Sequence, residues 1–98
     1  MANVYRQGDV VLKSIDDRFV IDVTQAEKDK DSLIVEGSQG HNHELKAPVY
    51  WRGFARIRIV VVSIPTDLTH PQHRTLVIAP GQYEVLGVRD DRRRDGGD

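Results

Sequence analysis

The sequence predicts a small all-β domain, either a β-barrel or a double-stranded β-sandwich, and three observations carry that expectation. Thirteen Val and seven Ile stand against six Leu and five Ala, and β-branched side chains fit a pleated surface better than a helix. Short apolar stretches alternate with polar residues at a period of two, the strand period. Gly, Pro, Asn and Asp punctuate the chain at close intervals, as turns between short strands require. At 98 residues, with 39% hydrophobic and 30% charged residues, the chain has material for one modest core. It divides into a domain over 1–88 and a tail over 89–98.

Val4-Tyr5 reads as a strand entering a turn at Arg6-Gln7-Gly8-Asp9, where Gly8 supplies the positive φ such turns often need. Asp9 to Ile15 is the next strand, Asp16-Asp17 a turn, and Arg18 to Thr24 a strand with Phe19, Ile21 and Val23 on one face. Gln25 to Asp31 is polar, with alternating charges from Glu27, and reads as a solvated loop or an exposed helical turn. Ser32 to Glu36 returns to strand. Gly37-Ser38-Gln39-Gly40 leads into a strand from His41 to Leu45 that ends at Ala47-Pro48. Val49 to Phe54 is an aromatic strand in which Gly53 marks a bulge or a close backbone approach.

From Ala55 to Val62 the alternation gives way to a run apolar on both faces, the pattern of a central strand. Ser63-Ile64-Pro65 ends it. Thr66 to His73 reads as a loop, Arg74 to Ile78 as a strand, Ala79-Pro80-Gly81-Gln82 as a turn, and Tyr83 to Val88 as the second arm of a hairpin. Arg89 to Asp98 holds four Arg and four Asp; with nothing to bury it is expected to be disordered.

The chemistry gathers at the histidines. All four fall into two tight pairs, His41-Asn42-His43 and His70-Pro71-Gln72-His73. Residues i and i+2 of a strand share a face, about 6.6 Å apart at Cα, a separation from which two imidazoles reach one ion at about 2.0–2.1 Å. Pro71 disfavours the helical conformation for His70 and favours a tight extended turn. His41, His43, His70 and His73 are therefore candidate ligands of one divalent metal, with both pairs at the same end of the domain. Zn²⁺ is the favoured ion for such a set, with Ni²⁺, Cu²⁺ and Fe²⁺ as alternatives. Four protein ligands point to a structural site, three plus an open position to catalysis. The other readings are a polar or proton-binding cluster, and loop histidines exposed without a ligand. Glu44 alternates to the opposite face from His43 and is at best an outer partner; Glu36 is a weaker one.

Two resemblances follow. Gly40-His41-Asn42-His43 with the later Pro80-Gly81-Gln82-Tyr83 is similar to the first half of a cupin metal motif, although the cupin Glu stands further along than Glu44 does. The order Arg6-Gln7-Gly8-Asp9-Val10, Gly40-His41-Asn42-His43, His70 and His73, then Pro80-Gly81-Gln82-Tyr83-Glu84-Val85 resembles small uncharacterised bacterial and phage proteins across positions 6 to 85. Such proteins often carry acidic residues between the last two histidines, where Pro71 and Gln72 stand here. That resemblance supports grouping the four histidines and implies no reaction.

A formal charge of −1 gives no global field for nucleic acid or an acidic membrane. Tyr50, Trp51 and Phe54 among Arg52, Arg56 and Arg58 have the look of a base-stacking face, but the charge balance favours an ordinary strand with arginines in solvent. The Arg92-Arg93-Arg94 run is cancelled by Asp90, Asp91, Asp95 and Asp98. Without cysteine, metal must rest on imidazole, carboxylate or water. The first residues lack a signal-peptide pattern, and Ile59 to Val62 is too short to span a bilayer, so a cytoplasmic protein is expected. The function expected is a metal-binding or structural module. The alternatives are a cupin-like metalloenzyme using three of the histidines, and a phage or virion accessory protein that self-assembles through Val60 and Val62 as a homo-oligomer.

Overall fold

The computed structural model describes residues 3–36, 40–53 and 57–87. Among the described residues ten strands form, in chain order β1 Val4–Gln7, β2 Val10–Ser14, β3 Glu27–Lys30, β4 Leu33–Glu36, β5 Asn42–Leu45, β6 Val49–Arg52, β7 Ile57–Val62, β8 Thr66–His70, β9 His73–Ile78 and β10 Gly81–Gly87. A single 3-10 turn, Asp17–Phe19, is the only helical element among the described residues. The strands make two antiparallel sheets, β1-β2-β10-β7-β6-β3 and β4-β5-β8-β9. Neither sheet closes on itself. The all-β expectation therefore takes the form of two open sheets, and no closed barrel is present among the described residues.

The inner faces of both sheets supply the core. Val10, Leu12, Val49, Val60, Val62 and Tyr83 come from the six-stranded sheet, and Leu33, Leu45, Leu68 and Ile78 from the four-stranded one. The period of two is visible in β5, where His43 and Leu45 are buried and Asn42 and Glu44 are not. Tyr83 packs edge-on against Tyr5, ring centres 5.7 Å apart. Its hydroxyl donates to the Ala79 carbonyl at 2.7 Å, while the Ala79 N–H donates to the Tyr5 hydroxyl at 3.3 Å. The Pro80-Gly81-Gln82-Tyr83 stretch is thus a structural corner fastened by two phenols.

Five sequence expectations need correction. Arg18 to Thr24 is no strand: Asp16 and Asp22 each accept a backbone N–H two residues on, at 3.0 Å in both cases, and turn the chain locally. The segment is instead tied to the six-stranded sheet by Gln82, whose side chain accepts the Ile21 N–H at 2.8 Å and donates to the Ile21 carbonyl at 2.9 Å. Gln82 and Ile59 share the outer face of that sheet by register, and Ile59 is fully buried although it lies outside the intersheet cluster. A strap over this face accounts for the two-sided apolar pattern of β7. Second, Glu27–Lys30 is the edge strand β3, paired with β6; charges suit an exposed edge that must not recruit further strands.

Third, Thr66–His70 is strand β8, leaving only Pro71-Gln72 as a turn to β9. Fourth, β9 and β10 are not a hairpin, because they belong to different sheets and the Pro80 corner passes the chain between them. Fifth, Val60 is 0% and Val62 3% exposed, so both are consumed by the core and cannot serve as an assembly face. Gly53 adopts φ +62° in the turn after β6, and among the described residues nothing lies within 4 Å of an added Cβ. Phe54, Arg56 and the tail over 89–98 lie outside the described residues.

Candidate functional site

Three of the four histidines form a row across three neighbouring strands. β5 and β8 pair with Glu44 opposite Thr69 and Leu45 opposite Leu68; one step further in that register sets His43 against His70, and their ring centres are 4.3 Å apart. β8 and β9 pair with Leu68 opposite Leu76 and His70 opposite His73. Two residues on β8 thus face three on β9, a β-bulge. The bulge brings His73 to the place Arg74 would hold in unbroken register, with ring centres of His70 and His73 4.5 Å apart. Directly opposed residues of antiparallel strands point to the same face, so sheet geometry itself gathers the three rings. His43 and His73, two strands apart, lean together to 5.8 Å. His41 precedes β5 and meets His70 at 5.9 Å.

The row continues the inward stripes Leu45-His43 and Leu68-His70, so the cluster caps one end of the core. His43 is 2% and His70 8% exposed, while His73 opens to solvent and His41 is half-buried. Burial, then the neighbouring His70 and His73, lower the His43 pKa from 6.5 to about 4; burial, then His73 and His41, also lower that of His70. Burial leads at both, because a charged ring with little water around it is disfavoured, and repulsion from neighbouring imidazolium charge adds to it. Asp9 opposes the shift at both histidines with its negative charge.

The opposite wall is the turn between β1 and β2. Gln7, 3% exposed, donates from its amide nitrogen to the carbonyls of Leu68 and Arg74, each at 2.9 Å. Its amide oxygen stands 2.8 Å from His43 Nδ1. Gly8 follows at φ +57°, and a Cβ there would lie 2.7 Å from His73 Nε2 and 3.2 Å from His43 Cε1. Glycine is required here twice over, by its backbone angle and by its contact with the rings.

Gln7, Gly8 and Asp9 are the site residues that histidine spacing could not disclose. The signal lay in the Arg6-Gln7-Gly8-Asp9-Val10 block, which the resemblance to phage and bacterial proteins had already singled out. Glu44 faces away from the cluster, towards a surface lined by Lys46, Ile64 and Asp67. Glu36 sits exposed opposite Asn42. Asp9 is a carboxylate whose charge reaches His43 and His70.

The ring centres lie near the spacing of imidazoles on one ion, but their nitrogens do not converge on a single point. With Zn–N near 2.0–2.1 Å, two imidazoles on a tetrahedral ion have centres on the order of 5 Å apart, and the three distances among His43, His70 and His73 run from 4.3 to 5.8 Å. Among the described residues, however, no three His, Asp or Glu groups converge closely enough to hold an ion as they stand. His70 is also engaged locally: the Gln72 N–H donates to His70 Nδ1 at 3.0 Å. Neutral His70 therefore carries its proton on Nε2; ligation through Nε2 would require that proton to move, and ligation through Nδ1 would require the ring to release the Gln72 N–H.

The fold and this cluster define a class: a small domain of two antiparallel β-sheets with an imidazole cluster closing one end of its core. More particularly, the chain belongs to the family described as domain of unknown function DUF8820, whose model matches residues 6–87. That span takes in the Gln7 turn, all four histidines and the Tyr83 corner. The chain matches no curated protein and no solved structure at a significant level. No helix among the described residues is long and apolar enough to cross a membrane.

Proposed function

We propose that this protein binds one divalent metal ion, Zn²⁺ in the first instance, through His41, His43, His70 and His73, as a binding or structural module. The observation that carries the reading is the row of three imidazoles across β5, β8 and β9, with ring centres 4.3 to 5.8 Å apart, near the spacing of imidazoles on one ion. The chemistry of the surroundings supports it. Imidazole ligates only when neutral, and burial keeps the His43 ring neutral at pH 7. An anion, Asp9, lies close enough to act on two of the rings and offsets part of an ion's charge. His41 and the solvent-exposed His73 leave an entry path from one side.

Binding asks for a modest rearrangement: His70 releases the Gln72 N–H, and His41 swings from its single neighbour into the shell. One observation favours a second arrangement. Among the described residues His41 meets one ring, His70, so a shell of His43, His70 and His73 with water in the fourth position is the alternative, and it is the one an enzyme would use.

Zinc titration of the purified, chelator-treated protein tests the proposal. One equivalent should bind, with a rise in melting temperature that grows with free zinc. His43→Ala and His70→Ala should abolish the rise. His41→Ala separates the two arrangements, weakening binding strongly for a four-histidine shell and only slightly for a three-histidine one. Absence of stoichiometric binding by zinc, nickel and copper alike would rule the proposal out.

A further inference from the structure

We infer that Gln7 is a positioning residue: it locks His43 as the Nδ1–H tautomer and presents a bare Nε2 to the histidine cluster. This deepens the metal-binding reading and rests on it for its functional consequence, though the tautomer itself can be decided without metal. The inference is a chain of forced donors and acceptors. Two backbone carbonyls, Leu68 on β8 and Arg74 on β9, lie 2.9 Å from one end of the Gln7 amide. Carbonyl oxygens only accept, so that end must be the NH₂ group, which has two protons and spends one on each. The other end is then the carbonyl oxygen, 2.8 Å from His43 Nδ1. An oxygen cannot donate, so Nδ1 must carry the proton.

Neutral His43 is left with its lone pair on Nε2, the ring atom remote from Gln7. His70 shows the opposite state, its Nδ1 accepting from the Gln72 N–H. The cluster therefore contains one imidazole already set for Nε2 ligation and one that has to change, and a side chain from the other sheet makes the difference. A metal-bound histidine commonly donates its second N–H to a neighbouring oxygen, which fixes ring orientation, and loss of such a partner typically costs about 10–100-fold in affinity. Gln7 also ties β1, an edge strand of one sheet, to β8 and β9 of the other, because the carbonyls it binds belong to those two strands.

The test is ¹⁵N NMR of the histidine side chains in zinc-free protein at pH 7.5, followed by zinc titration of Gln7 variants. In the wild type His43 should show a protonated Nδ1 and an unprotonated Nε2. Gln7→Leu should erase that preference and weaken zinc binding about 10–100-fold. Gln7→Glu separates positioning from scaffolding: a carboxylate still accepts from Nδ1 but cannot donate to the two carbonyls. It should therefore retain the tautomer and the zinc affinity while lowering the melting temperature. A wild-type His43 protonated on Nε2 would overturn the inference, and that reading needs no variant to fold. So would loss of zinc binding in Gln7→Glu that simply follows its loss of stability. If the tautomer is found and zinc fails to bind, the metal reading falls and the role of Gln7 in holding His43 stands.

Discussion

Gly8 is where the first turn meets the rings, and its replacement should be felt at both. An Ala there carries a strained left-handed backbone costing roughly 1–2 kcal/mol, and its Cβ would stand 2.7 Å from His73 Nε2, pushing that ring aside. Gly8→Ala should lower stability by about 1–3 kcal/mol in chemical denaturation and shift the His73 side-chain resonances. His43 makes the fold sensitive to acid. Its native pKa is lowered from 6.5 to about 4, so above pH 6.5 neither state binds the proton and the residue adds no pH dependence. Between pH 6.5 and 4 the unfolded chain takes up a proton that the native protein refuses, and stability falls by up to roughly 3 kcal/mol. Denaturation of zinc-free protein at stepped pH should show that slope, and His43→Leu should flatten it. At this scale the histidines were legible because two close pairs are a conspicuous use of four residues. Gln7 was not, since a glutamine beside a glycine reads as turn chemistry, and its three hydrogen bonds run to residues more than thirty positions away.

The elements were legible where burial sets a period and illegible where polar side chains redirect the backbone. β2, β4 and the second half of β7 follow from short apolar runs between turn residues, and the first half of β7 from alternation. The stretch from Arg18 to Thr24 has the same alternation, yet Asp16, Asp22 and Gln82 supply hydrogen bonds that outcompete a ladder. Removing the tie gives a prediction: Gln82→Ala should speed hydrogen exchange of the Ile21 amide selectively, with a global loss of about 1–2 kcal/mol. β3 was hidden for the converse reason. A strand of alternating charges has no apolar face, and only its pairing with β6 makes it one. The bulge in β9 was also beyond pattern reading, although it decides which residue stands opposite His70.

For the whole molecule, β-branched composition and turn spacing disclosed an all-β domain, but strand order did not follow. The corner at Pro80 looks like a hairpin turn in sequence, and it is the Tyr5 and Tyr83 hydroxyls holding Ala79 that turn it into a passage between sheets. The site depends on that architecture, because one sheet contributes the imidazoles and the other the Gln7 turn that faces them. The central claim, that this arrangement is a metal centre, is tested most directly by X-ray absorption at the zinc edge on protein loaded with one equivalent and dialysed. The account predicts three or four imidazole nitrogens at about 2.0–2.1 Å. A sphere of oxygen ligands alone, or zinc lost on dialysis, would contradict it.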